Sequence, residues 1–357
     1  MATAVASTRR PLLPTAAGTV FGFTRVALTR LTGAIIVIFG VVSITFLLTR
    51  VVAPDPTGLF VSPTADTAER DNVRQALGLS DPIPVQFVTF IGNLLTGDLG
   101  TSFMTGQPVA QDLLSRLPAT AELALYALLF GTSIGVIAGV IAAVKENSWF
   151  DHLVRTVTVA GLALPQFWLG LMLLWIFFVV LGIAPGPTGR LPVGVLPPPH
   201  ITGLFVIDGL LAGQWALVST AIAQLVLPVL TLGYGVFAPI ARGARSAMIG
   251  ALNADYMRTA HSLGIARGRA WFVYALKNAL LPVVTMLAGV VGWAFSGTVL
   301  VEGVFGWPGV GQYALNAMQS SDFPAVQGFV LFAAILYVVI YQLLDLAYSA
   351  IDPRIRP

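Results

Sequence analysis

Six long apolar stretches, at Leu31 to Val52, Ala119 to Val144, Val154 to Ile183, Trp215 to Ala241, Leu281 to Val301 and Ala325 to Ser349, decide what this chain can fold into. A helix rises about 1.5 Å per residue, so about 20 such residues cross about 30 Å of hydrocarbon. Lipid supplies no hydrogen bonds to a bare backbone, so each stretch must satisfy its own as a helix. The expectation is an all-α integral membrane protein with six transmembrane helices.

The rest of the composition agrees. Only 10% of the 357 residues are charged and 56% are hydrophobic, with a mean hydropathy of +0.85. A soluble domain needs about a quarter of its residues charged to clothe its surface. Cysteine is absent, which excludes disulfides, thiolate metal sites and a cysteine nucleophile. The net charge of +3 is small, and nothing in its distribution points to nucleic acid.

Residues 1–30 form a basic tail in which Pro11 and Pro14 follow Arg9 and Arg10 before any long apolar run begins. The tail reads as cytosolic and the first span as an uncleaved anchor, not as a cleaved signal. With that end inside, only Arg50, Arg70, Arg74, Arg116 and Arg190 fall outside, leaving 14 of 19 basic residues in the cytoplasm. The positive-inside rule therefore places both termini there, with 31–350 as the membrane domain and 351–357 as a second cytosolic tail. Two outer loops follow, 53–118 and 184–214. The first carries "ALGLSDPIPVQFVTFIGNLLTGDLGTS", expected to form short helices over the outer mouth. The second carries "LPPPH", an extended proline run, and "TGLFVIDGLLAG", too short to span.

The long cytosolic loop, 242–280, is the richest in charge. From Asp255 to Gly264, the residues Tyr256, Ala260 and Leu263 recur at helical spacing, while Arg258, His261 and Ser262 supply a polar face. Asp255 suits the positive end of a helix dipole, and Gly264 is placed to end the helix in the left-handed conformation. A second helix follows, with Trp271, Tyr274, Ala275 and Asn278 in helical register, until Pro282 opens the next span. Pattern alone leaves two readings open: a basic interfacial loop, or a docking element for a soluble partner.

The chain lacks other chemistry. Its two lysines follow Val144 and Leu276, so neither belongs to a Gly-Lys-Ser/Thr phosphate loop. Glu122, Glu302 and Asp345 lie toward the ends of spans, which favours structural pairing over a proton relay. His152, His200 and His261 are scattered without metal-ligand spacing, and no serine stands in GxSxG or SxxK. Pro165, Gln166 and Trp168 break or polarise the third stretch, and a kink with packing is favoured there over contact with a substrate. An ion-coupled carrier is disfavoured by the uncharged middle of the spans, and a membrane enzyme by the missing catalytic set.

Several segments together resemble the permease subunits of ATP-binding-cassette importers in the peptide, nickel and glutathione branch. They are "TFLLTRVVAPDP" (45–56), "GDLGTS" (97–102), "RLPATAEL" (116–123), "LPQFWLGL" (164–171), "TGLFVIDGLLAGQW" (202–215), "VEGVFGWPGVG" (301–311), "DFPAVQG" (322–328) and "IDPRIR" (351–356). The loop from Asp255 to Pro282 is similar to the family's coupling motif, with Arg258, Thr259 and Ala260 at its Glu-Ala-Ala positions, then Gly264 and later Leu281-Pro282. The branch more often has basic residues where His261 and Leu263 stand. The resemblance implies a type I importer permease fold with cytosolic coupling helices in the inner or plasma membrane. It implies that Asp255, Tyr256, Arg258, Thr259, Ala260, Gly264, Ile265 and Arg267 contact an ATPase. It further implies a second, homologous permease, two ATPase subunits that hold ATP and Mg while this chain holds no cofactor, and an external binding protein delivering di- or oligopeptides.

Overall fold

The computed structural model describes residues 16–52, 56–61, 66–76 and 78–351. Arg9, Arg10 and most of the segment "IDPRIR" lie outside them. Helix α1 (Ala16–Leu47) runs into a π-helical turn (Leu48–Val52). Within 53–118 stand a 3₁₀ turn (Pro56–Leu59), α2 (Thr67–Ala76) and α3 (Ile83–Leu95), of which α3 alone lies within the segment 76–102 whose sequence predicts short helices. Next come α4 (Val109–Val144), α5 (Trp149–Ala163), α6 (Gln166–Leu173) with a π segment (Leu174–Val180), α7 (Phe205–Leu211) and α8 (Trp215–Leu252). The chain ends with α9 (Asp255–Ser262), α10 (Arg267–Arg269), a π segment (Ala270–Ala275), α11 (Leu276–Phe305), α12 (Val310–Gln319) and α13 (Phe323–Ile351). No named strand occurs among the described residues, whose one β contact is an isolated bridge from Thr101 to Pro108.

Each of the six predicted stretches falls on helix. By length and apolarity five helices qualify as spans, or up to seven if each of two bent pairs counts as one. The third stretch departs from expectation. It is not one helix but two, bent by 111° between α5 and α6. Leu164 has extended angles (φ −82°, ψ 128°), and Pro165 follows it. A proline ring disfavours the helical conformation in the residue before it and contributes no N–H, so the helix stops there.

Other span ends also shift. Helix α4 begins at Val109 and includes Pro118. Helix α8 continues past Ala241 to Leu252 and contains Pro228 and Pro239, so residues 242–252 are helix and not part of the loop assigned to 242–280. Pro282 lies inside α11 and does not open it.

The centre of the fold is the α4–α8 pair. Gly131, Gly135 and Gly139 recur every fourth residue along one face of α4. A Cβ at Gly131 would stand 2.5 Å from the Gly233 carbonyl oxygen, and one at Gly139 would stand 2.4 Å from that of Ala241. Small residues at this spacing let two membrane helices meet backbone to backbone, where packing and not water exclusion drives association. Gly139→Leu is therefore expected to destabilise the fold by about 1–3 kcal/mol through overpacking. Thermal unfolding in detergent measures this against Gly92→Leu, where a Cβ has nothing within 4 Å. Equal midpoints for the two variants would refute the close approach.

Candidate docking helix and the buried polar clusters

Helix α9 stands at the end of the bundle where α8 finishes and α11 begins. Met257 and Ala260 are its buried residues, and Met257 packs with Ala270, Ala275 and Met248 in one cluster that Ile265 and Trp271 flank. The expected apolar face of Tyr256, Ala260 and Leu263 is thus rotated. Ala260 faces inward as predicted, but Met257 is its partner, while Tyr256 is 37% and Leu263 74% exposed. Spacings of three and four residues both describe a helical face, so the sequence alone did not choose between Met257 and Tyr256.

The end of α9 follows its sequence closely. Gly264 is left-handed (φ +71°). Its N–H donates to the His261 carbonyl at 3.0 Å, and the Ile265 N–H donates to the Ala260 carbonyl at 3.1 Å. These two bonds form a Schellman cap, in which the residue after the glycine, here Ile265, turns back onto the core. At the other end Asp255 opens the helix, as expected from its charge.

The remaining candidate residues form the outward face. The side chains of Asp255 and Arg258 are 96% and 81% exposed, and the two are 3.5 Å apart across one turn. Thr259 is exposed and donates its hydroxyl hydrogen to the Asp255 carbonyl, while Arg267 is exposed on the first turn after the cap. The structure therefore brings all eight candidates into one small element. Ala260 and Ile265 fix it to the bundle, Gly264 shapes it, and Asp255, Tyr256, Arg258, Thr259 and Arg267 are presented outward. Leu263 joins that face.

Beneath this element, the base of α8 is tied to the start of α5. Asp151, buried on α5, accepts hydrogen bonds from Arg245 Nε at 2.5 Å and Nη2 at 2.8 Å, and from the Asn147 N–H at 3.0 Å. Arg245, counted from sequence among loop cations, is thus a structural partner. A separation of 94 residues hid it.

The opposite end holds carboxylates on α4 and α11. Glu122 accepts from Arg190 Nε at 3.0 Å and Nη2 at 2.5 Å, and from the Val206 N–H at 3.0 Å. Arg190 Nη2 also donates to the Gly203 carbonyl at 2.7 Å, and its guanidinium lies 3.4 Å over the Phe205 ring. Glu302 accepts from the Thr120 hydroxyl at 2.7 Å and from the Gln312 N–H at 2.9 Å, so it caps α12, whose own N-cap residue is Gly309. Structural pairing is the arrangement expected for both glutamates. The side chain of Asp345 lies outside the described residues. On α7, burial alone would raise the Asp208 carboxyl, but hydrogen bonds from Thr202, Gly203 and Ile201 hold it below the usual carboxylate range.

The sequence that forms these elements is similar to those of known proteins. Residues 135–357 match the family model described as binding-protein-dependent transport system inner membrane component, and residues 23–124 match the model of its N-terminal part. The probable D,D-dipeptide transport system permease protein DdpB of Escherichia coli is 42% identical over 90% of this chain and 95% of its own length. The di/tripeptide transport system permease protein DppB of Pseudomonas aeruginosa is 40% identical over 89% and 94%. The glutathione transport system permease protein GsiC of E. coli is 35% identical over 92% and 97%. With both family models matched and relatives of this identity spanning nearly the whole chain, the protein belongs to the family of binding-protein-dependent transport system inner-membrane components.

Proposed function

We propose that this chain forms half of the membrane pathway of an ATP-driven importer for di- or oligopeptides. An external binding protein delivers the peptide, a second homologous permease completes the pathway, and two cytosolic ATPase subunits hold ATP and Mg. Both termini and α9 then face the cytoplasm, in keeping with the distribution of basic residues. The peptide assignment rests on relatives named for dipeptide and di/tripeptide transport over nine-tenths of the chain.

The observation that carries the docking role is the division of α9 into an inner and an outer face. Met257 and Ile265 hold it on the bundle, and Ala260 is buried on the same inner side. Tyr256, Arg258 and Leu263 remain exposed on a short helix rigidly capped at Gly264. A rigid element displaying apolar and charged side chains transmits force from a partner without first having to order itself.

The test is affinity purification of the tagged chain from cells that express its neighbouring genes, followed by reconstitution. A P-loop ATPase and a second permease are expected to copurify, and labelled dipeptide uptake should require ATP and the binding protein. Uptake by this chain alone, driven by an ion gradient, would overturn the proposal. Arg258→Glu is expected to weaken ATPase binding by about fivefold or less, because one exposed, solvent-screened charge contact contributes about 1 kcal/mol or less. Complete loss of the ATPase in that variant would contradict the placement of Arg258 at the rim of the contact.

A further inference from the structure

Where the third stretch breaks, α5, α6, α8 and α11 enclose a cavity of about 320 Å³. Gln166, Thr231, Tyr234, Gly235, Gly289 and Trp293 contribute to its wall, and no Asp, Glu, Lys, Arg or His lines it. Two of these groups are already engaged. The Tyr234 hydroxyl donates to the Val157 carbonyl at 2.7 Å, and the Thr231 hydroxyl donates to that of Leu227 at 2.8 Å. Gln166 differs from them: its amide nitrogen is buried and has no hydrogen-bond partner among the described residues.

The bend does not require this side chain. Pro165 and the extended Leu164 account for the break, and no side-chain bond caps the start of α6. Space has nevertheless been left for it. A Cβ on Gly235 would fall 2.8 Å from the Gln166 amide nitrogen and 2.0 Å from the Trp293 ring, and a Cβ on Gly297 would fall 2.6 Å from the amide oxygen. Two glycines on two helices thus make room for one amide and one indole at the cavity wall. A buried amide N–H with no acceptor is destabilising unless an acceptor from outside the chain relieves it. A ligand carrying a carbonyl oxygen would do so.

We infer that this cavity is a station on the peptide path, where the Gln166 amide donates to a backbone carbonyl of the passing peptide and Trp293 covers its apolar surface. The inference rests on the peptide-import reading above. A wall without charges suits the neutral middle of a short peptide, not its charged termini, and a volume near 300 Å³ is at the small end of ligand pockets. Recognition through the peptide bond is indifferent to side-chain identity. Pro165 therefore supplies the kink favoured from the sequence, while Gln166 takes the substrate contact that the sequence disfavoured.

The test uses the complete importer in proteoliposomes and compares uptake of Ala-Ala with that of its thioamide analogue, whose sulfur is a weaker acceptor. One binding protein delivers both, so a change in their ratio between variants arises in the membrane chain. Gln166→Met is expected to reduce the wild-type preference for the oxygen form by up to about fivefold, since the weaker sulfur acceptor forfeits at most the value of one neutral hydrogen bond. An unchanged ratio overturns the assignment. Should Gln166→Met fail to assemble, Gly289→Leu decides the matter, because a Cβ at Gly289 has nothing within 4 Å and a larger side chain enters open space. It is expected to depress Phe-Phe uptake several-fold more than Ala-Ala uptake. Equal effects on the two peptides overturn the station. Absence of all peptide uptake by the wild-type importer would instead bring down the peptide-import reading, and the station with it.

Discussion

Replacing Arg190 by Ala is expected to destabilise the chain by about 3–5 kcal/mol, the usual cost of removing one partner from a buried ion pair. The side chains of Arg190 and Glu122 are 9% and 1% exposed, so solvent screening offers little relief. Arg190 does more than neutralise a charge. Through the Gly203 carbonyl and the Phe205 ring it fastens the 184–214 loop to α4, and without it Glu122 keeps only the Val206 N–H. The measurement is the unfolding midpoint of the purified chain in detergent, with protease susceptibility of the loop as a local readout. The double variant Arg190→Met with Glu122→Leu is expected to recover part of the loss, because apolar replacements remove both buried charges, though the Val206 N–H is then left without an acceptor. If Arg190→Ala unfolds within about 0.5 kcal/mol of the wild type, the pair does not hold the loop.

This buried pair also shows where the sequence stops being legible. Arg190 stands 68 residues from Glu122, and counting charges by loop placed it simply among the outer cations. Its burial depends on a loop that folds back over α4, which no local pattern encodes. The same holds for Asp151 with Arg245 and for Glu302 with Thr120, each joined across helices far apart in sequence. The glutamates could be assigned to structural roles from their positions near span ends, but their partners could not be named.

Local signals fared better, and they failed where two of them competed. The apolar runs gave helices in all six places, and Pro165 marked a break. The bend of 111° lies between α5, which packs on α8, and α6, which packs on both α8 and α11. Prolines at 228, 239 and 282 would have ended helices by propensity alone, yet α8 and α11 continue through them because packing in the bundle outweighs one lost backbone bond. In α9 the ends were fully readable, from Asp255 at the start and Gly264 after the finish. Only its orientation was not, because Tyr256 and Met257 are adjacent and both serve as large apolar residues.

Gly264→Asp is expected to leave the chain folded and inserted while abolishing ATPase copurification and peptide uptake. The left-handed backbone of Gly264 penalises any side chain, but Asp adopts that conformation more readily than Ala does. Within this chain a Cβ at Gly264 meets nothing within 4 Å, so no internal clash is added. On backbone strain alone, Asp should then be no worse than Ala. A docked partner reverses that order, because its surface would close over the cap and bury the new carboxylate without a counter-charge. The decisive comparison is therefore Gly264→Asp against Gly264→Ala, with unfolding midpoint, ATPase copurification and ATP-driven uptake measured on each. Similar midpoints with uptake lost only in the Asp variant would place a partner surface directly over Gly264. Equal uptake in the two variants would mean that the outer face of α9 meets its partner elsewhere, or not at all.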